Sequence, residues 1–136
     1  MPAKPPTIVE LAWTGDLTFS GSSHQTAIVL DGRSAKGPSP VQALGFALAG
    51  CMSTDIVDIL VKGRHPLRAF RARLTAQRAQ DEPHRFVRVE LAVVCEGAVP
   101  PEAIERAIAL SKDKYCSVWH SLRPDIQFTV SFERLE

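Results

Sequence analysis

Apolar positions along this chain repeat first with the short period of strands, then without polar interruption, then again in strict alternation. Ile8-Val9-Glu10-Leu11-Ala12-Trp13 and Leu17-Thr18-Phe19-Ser20 predict two strands around the turn signal Thr14-Gly15-Asp16. After a second turn at Gly21-Ser22-Ser23, the run from Gln25 to Leu30 completes a three-stranded meander. Asp31 to Pro38 reads as loop. Ser39 then supplies an N-cap oxygen, and Pro40 fits the first helical position, where its missing N–H costs nothing. The helix is expected to run to about Lys62, where Gly63 and Pro66 stop it. Its first half, Ala43 to Met52, is apolar on all sides, which predicts burial from every direction. Gly45 and Gly50 each lower helix propensity by about 1 kcal/mol relative to Ala. That loss predicts close approach of another backbone, such as a symmetry mate's.

Alternation returns from Arg68 to Gln80, with Phe70, Ala72, Leu74 and Ala76 on one face and Arg71, Arg73, Thr75 and Gln77 on the other. A turn at Asp81-Glu82-Pro83-His84 leads into a second alternating run from Arg85 to Glu96, with Val87, Val89, Leu91, Val93 and Cys95 in phase. The pair predicts a long antiparallel hairpin with one buried face. Pro100-Pro101-Glu102 opens a helix to about Leu110. Asp113 or Ser111 caps a short helix to about Leu122, and Ile126 to Phe132 is a closing strand. The order βββ-α-ββ-αα-β gives an α+β fold: a single domain from residue 7 to 136 after a disordered tail of residues 1–6. A chain of this length cannot easily cover a long helix that is apolar all round its first half, which predicts an obligate dimer.

Composition narrows the function classes. The chain has 136 residues, is 45% hydrophobic and 23% charged, and carries a formal net charge of +1, so neither disorder nor a global pull toward nucleic acid or anionic membrane is indicated. A basic stripe between residues 62 and 88 holds eight Lys/Arg against Asp81 and Glu82. With no recognition helix or aromatic platform it reads as a solvated strand face, not a nucleic-acid surface. No signal-peptide pattern is present at the N-terminus. The apolar run around Cys51 is shorter than a bilayer and is followed by Ser53, Thr54, Asp55 and Asp58, so a soluble cytoplasmic protein is expected. Three cysteines in such a compartment suggest no disulfide framework. No Cys/His spacing matches a metal site, and no cofactor is expected.

The candidate chemistry rests on two of those cysteines, 65 positions apart. Cys51 lies inside the apolar helix, where a free thiol is ordinarily a small core residue; Asp55, four residues on, would raise its pKa from the same face. Cys116 falls near the start of the short helix, where free N–H groups, Lys112, Lys114 and His120 at i+4 would lower a thiol pKa. Two thiols meeting from separate elements make a two-cysteine redox site. Cys95 reads as core. Phe46, Leu48, Met52 and Trp119 are candidates for an apolar substrate pocket.

Pro38-Ser39-Pro40, Ala49-Gly50-Cys51-Met52-Ser53-Thr54-Asp55-Ile56-Val57 and Lys114-Tyr115-Cys116-Ser117-Val118 together resemble the OsmC/Ohr family, and the likeness in element order runs from about residue 7 to 135. The resemblance implies an intertwined homodimer with antiparallel sheets wrapped around long buried central helices and active sites at the subunit interface. It also implies thiol-dependent reduction of organic hydroperoxides, with Cys51 as peroxidatic thiol and Cys116 as resolving thiol, restored by a thiol or dithiol reductant. The chain departs from the family's peroxidases at two points. Their glutamate ten residues before the peroxidatic cysteine is Val41 here, and residues 1–32 hold no arginine to steady the thiolate. Arg33, Lys36 and His120 are the candidate substitutes. The alternative is a weakly active or non-catalytic dimer that binds a small apolar or thiol-reactive ligand, or a redox sensor.

Overall fold

A computed structural model describes residues 3–136. Part of the expected N-terminal tail, residues 1 and 2, lies outside the described residues; residues 3–9 join no helix or strand. The chain forms two compact units, one ending at Leu44 and the other Gly45–Glu136.

The first unit is the predicted meander. β1 (Glu10–Gly15), β2 (Thr18–Ser23) and β3 (Thr26–Asp31) pair antiparallel in the order β1-β2-β3, with a bulge between Trp13 and Gly15. Gly15 takes φ +129°, the left-handed side that the tight turn into Asp16 requires. Asp31 organises the loop that follows. Its carboxylate accepts the backbone N–H groups of Arg33 (2.8 Å), Lys36 (2.9 Å) and Ala35 (3.3 Å). Those bonds, Lys36's first, hold it below the usual carboxylate range. The loop ends in a reciprocal cap: Gln42 N–H donates to Ser39 Oγ (3.1 Å), and Ser39 N–H donates to Gln42 Oε1 (2.9 Å). The predicted N-cap of α1 (Pro40–Lys62) is therefore present.

The second unit holds most of α1, a mixed sheet and the C-terminal helices. β4 (Ala69–Arg78) and β5 (Phe86–Glu96) form the expected antiparallel hairpin, Ala69 opposite Glu96 through Gln77 opposite Arg88. A bulge between Gln77 and Arg78 moves the buried face by one residue at its end, so Phe86 is buried and Val87 only half-buried. Val89, Leu91, Val93 and Cys95 form the core stripe that the alternation predicts. α2 (Pro101–Leu110) buries Ile104, Ala107 and Ile108 and returns the chain to β6 (Gln127–Leu135). β6 lies parallel to β5, Arg88 opposite Gln127 through Glu96 opposite Leu135. This corrects the all-antiparallel expectation. A helical crossover brings the strand back in the same direction, as parallel pairing requires.

Around α1, the expected burial on all sides is not met within one chain. Leu48, Met52, Ile56 and Leu60, each four residues apart on one face, are fully buried. Leu44, Phe46 and Val61 are exposed, Phe46 at 72%. Among the described residues of one chain, no other backbone approaches the two helix glycines. A Cβ at Gly50 would meet nothing within 4 Å, and one at Gly45 would meet only Leu74 Cδ2 at an ordinary 3.6 Å. The helix is longer than the apolar run inside it, and by length and composition it could cross a membrane, a test that core helices also pass.

Candidate functional site: a two-thiol, one-carboxylate cluster

Cys51 and Asp55 are four residues apart on α1 and so share one face of the helix. The third member arrives from the far end of the second unit. After α2 the backbone passes through a π-helical turn, Ser111–Tyr115, closed by Cys116 N–H donating to the Ser111 carbonyl at 2.8 Å. This wider turn directs Cys116 inward, where it is fully buried. Cys51 Sγ, Cys116 Sγ and an Asp55 carboxylate oxygen all lie within 4.8 Å of one another. All three cysteines are free thiols.

Ser111 fixes the carboxylate. Its hydroxyl, fully buried, donates to Asp55 Oδ2 at 2.6 Å, and its oxygen lies 3.1 Å from Met52 Sδ. With one proton to give, the hydroxyl serves the stronger acceptor, the carboxylate. Ser111 was expected only as a possible helix cap. Nothing local in the sequence marks it as a partner of Asp55, which lies 56 positions earlier.

The expectation for the Cys116 thiol is reversed. It caps α3 (Ser117–His120), and Trp119 N–H donates to its sulfur at 3.4 Å, but α3 is a single turn whose dipole is correspondingly weak. Burial dominates, and the Cys51 thiol and the Asp55 charge add to it, so the Cys116 thiol is pushed up to about 11. Asp55 is thus among the groups that raise the Cys116 thiol. Burial also pushes the Cys95 thiol up.

Of the expected cationic helpers, His120, Lys112 and Arg33 have other partners. His120 Nε2 donates to the Lys112 carbonyl at 3.0 Å, and Lys112 Nζ donates to the Phe128 carbonyl at 2.7 Å. Arg33 pairs with Asp16 at 2.6 Å, an exposed pair. The pocket candidates also separate. Leu48 and Met52 are core, Phe46 points outward, and Trp119 is half-buried against Phe128, ring centroids 4.6 Å apart. On a helix, positions 46 and 48 face nearly opposite directions, so the four could not all line one cavity from one chain.

The family model described as OsmC-like protein matches residues 33–131. The chain belongs to the OsmC family. It is 37% identical over 126 residues to Protein YhfA of Escherichia coli (strain K12), covering 89% of this chain and 92% of that one. A hypothetical protein from Aquifex aeolicus VF5 superposes with TM-score 0.89 at 27% identity, covering 96% of this chain and 97% of that one. An organic hydroperoxide resistance protein OsmC from Legionella pneumophila shares the fold, with TM-score 0.71 at 15% identity, covering 97% of this chain and 99% of that one. The α+β arrangement of two three-stranded sheets with helices is thus the OsmC/Ohr fold.

Proposed function

We propose that this protein is a cytoplasmic homodimeric thiol peroxidase that reduces organic hydroperoxides. The observation that carries the reading is the meeting of Cys51 and Cys116, from elements 65 positions apart, within one 4.8 Å cluster. Family membership and the Legionella pneumophila fold relative's stated role support the substrate class. The Cys51 thiolate attacks the outer peroxide oxygen and the O–O bond breaks. The alkoxide takes up a proton and leaves as an alcohol, and Cys51 becomes a sulfenic acid. The Cys116 thiol then displaces water from that sulfenic acid to form a disulfide. A dithiol reductant then returns both thiols, supplying two electrons and two protons and itself becoming a disulfide. The half-exposed Cys51 is the reachable thiol, and the buried Cys116 is shielded from direct oxidation.

The exposed apolar residues of α1, Phe46 and Val61 among them, support the dimer. A second chain would supply the cover that the first lacks.

The test is steady-state hydroperoxide consumption with a dithiol reductant. Cys51→Ser abolishes turnover. Cys116→Ser leaves one oxidation event per chain and a trappable sulfenic acid. Normal turnover in Cys51→Ser overturns the assignment. One observation favours a second reading, a ligand-binding or redox-sensing dimer: the groups acting on Cys116 are burial, the Trp119 N–H, Cys51 and Asp55, with no cation among them. On that reading, hydroperoxide is not consumed catalytically, and an apolar probe binds instead.

A further inference from the structure

We propose that Cys51 Sγ, Cys116 Sγ and an Asp55 carboxylate oxygen form a binding site for a thiophilic divalent cation, zinc, with its fourth position open to water. The three donors lie within 4.8 Å of one another. Sulfur ligands sit about 2.3 Å from zinc and carboxylate oxygens about 2.0–2.2 Å from it, so the donors of one tetrahedral ion stand about 3.5–3.8 Å apart. On this proposal the donors draw together by up to about 1 Å when the ion binds. Two sulfurs and one oxygen form the borderline-soft donor set that suits zinc better than magnesium or calcium.

Two features make this a built site and not a chance grouping. Cys51 and Asp55 are presented from one face of a single rigid helix, while Cys116 closes the triangle from the end of a π-helical turn. The Asp55 carboxylate is also oriented by the fully buried Ser111 hydroxyl at 2.6 Å, as metal-ligating carboxylates are usually held by an outer partner. Cys51 and Asp55 are half-buried, which leaves a path for the ion. A cation there would supply positive charge to a cluster in which no cation acts on Cys116, Lys112 and His120 being hydrogen-bonded to carbonyl groups.

The experiment uses the full-length, fully reduced protein and no hydroperoxide, so its result is separate from that of the turnover assay. Zinc is titrated in competition with a chromogenic chelator, and cobalt(II) is added in parallel as a spectroscopic substitute. The proposal expects one zinc per chain and a near-ultraviolet sulfur-to-cobalt charge-transfer band. Cys51→Ser and Asp55→Asn should each weaken binding at least tenfold, Ser111→Ala by about 10-fold to 100-fold, and Cys95→Ser should leave it unchanged. The cobalt band is read on the wild-type chain, so it stands even if a variant fails to fold. No charge-transfer band, or zinc affinity unchanged in both Cys51→Ser and Asp55→Asn, overturns the proposal.

Discussion

The Cys116 thiol offers a test that needs no knowledge of substrate. It lies at about 11, against 9.0 for an unperturbed thiol, because it is fully buried and faces Cys51 and Asp55. At pH 8 about one Cys116 in a thousand is then a thiolate, against about one in ten for an unperturbed thiol, a deficit of about a hundredfold. Alkylation by iodoacetamide, followed residue by residue by mass spectrometry, reads this directly. The Cys116 rate should climb about tenfold per pH unit between pH 8 and 10 and level off only near 11. Asp55→Asn retains an acceptor for the Ser111 hydroxyl but removes the charge, and should move the profile to lower pH. The sign for stability follows from the same shift. The folded chain holds this proton more tightly than the unfolded chain, so the stabilisation is complete below about pH 9 and is lost as pH rises toward 11. Its size is on the order of 2 kcal/mol. A Cys116 profile that levels off at or below pH 9 would refute the reasoning.

Other consequences concern the frame around the cluster. Ile56→Ala, at a fully buried position on α1, should cost about 2–5 kcal/mol in denaturant unfolding. Gly97 takes φ +127°, and a Cβ there would strike the Pro66 carbonyl oxygen, so Gly97→Ala should destabilise the second unit by more than about 1 kcal/mol, read as a lower Tm. If the proposed dimer forms across α1, Phe46→Asp, at a position 72% exposed in one chain, should shift the protein toward monomer in analytical ultracentrifugation; an association state unchanged from wild type would count against that interface.

Much of this fold was legible because its signals are local. The Ser39–Pro40 helix start and the alternation of β4 and β5 each depend on neighbours within one or two turns. The core positions Val89, Leu91, Val93 and Cys95 follow directly from that alternation. What was hidden depends on chain return. The parallel direction of β6 comes from its crossover, not from its own residues. The bulge at Gln77/Arg78 moved Phe86 into the core against the simple period. At the site, the two thiols were legible as residues, but their surroundings were not. The wide turn Ser111–Tyr115 replaced the expected helix start at Asp113, so Cys116 met the half-buried Cys51 and Asp55 and not the end of a long dipole. Ser111 became the carboxylate's partner through the same turn.

The most direct test of the two-cysteine account is mass mapping of the purified, reduced protein after one equivalent of cumene hydroperoxide. The account predicts rapid loss of two thiols, a disulfide between Cys51 and Cys116, an intact Cys95, and full reversal by a dithiol. Three free thiols after minutes of exposure would contradict it.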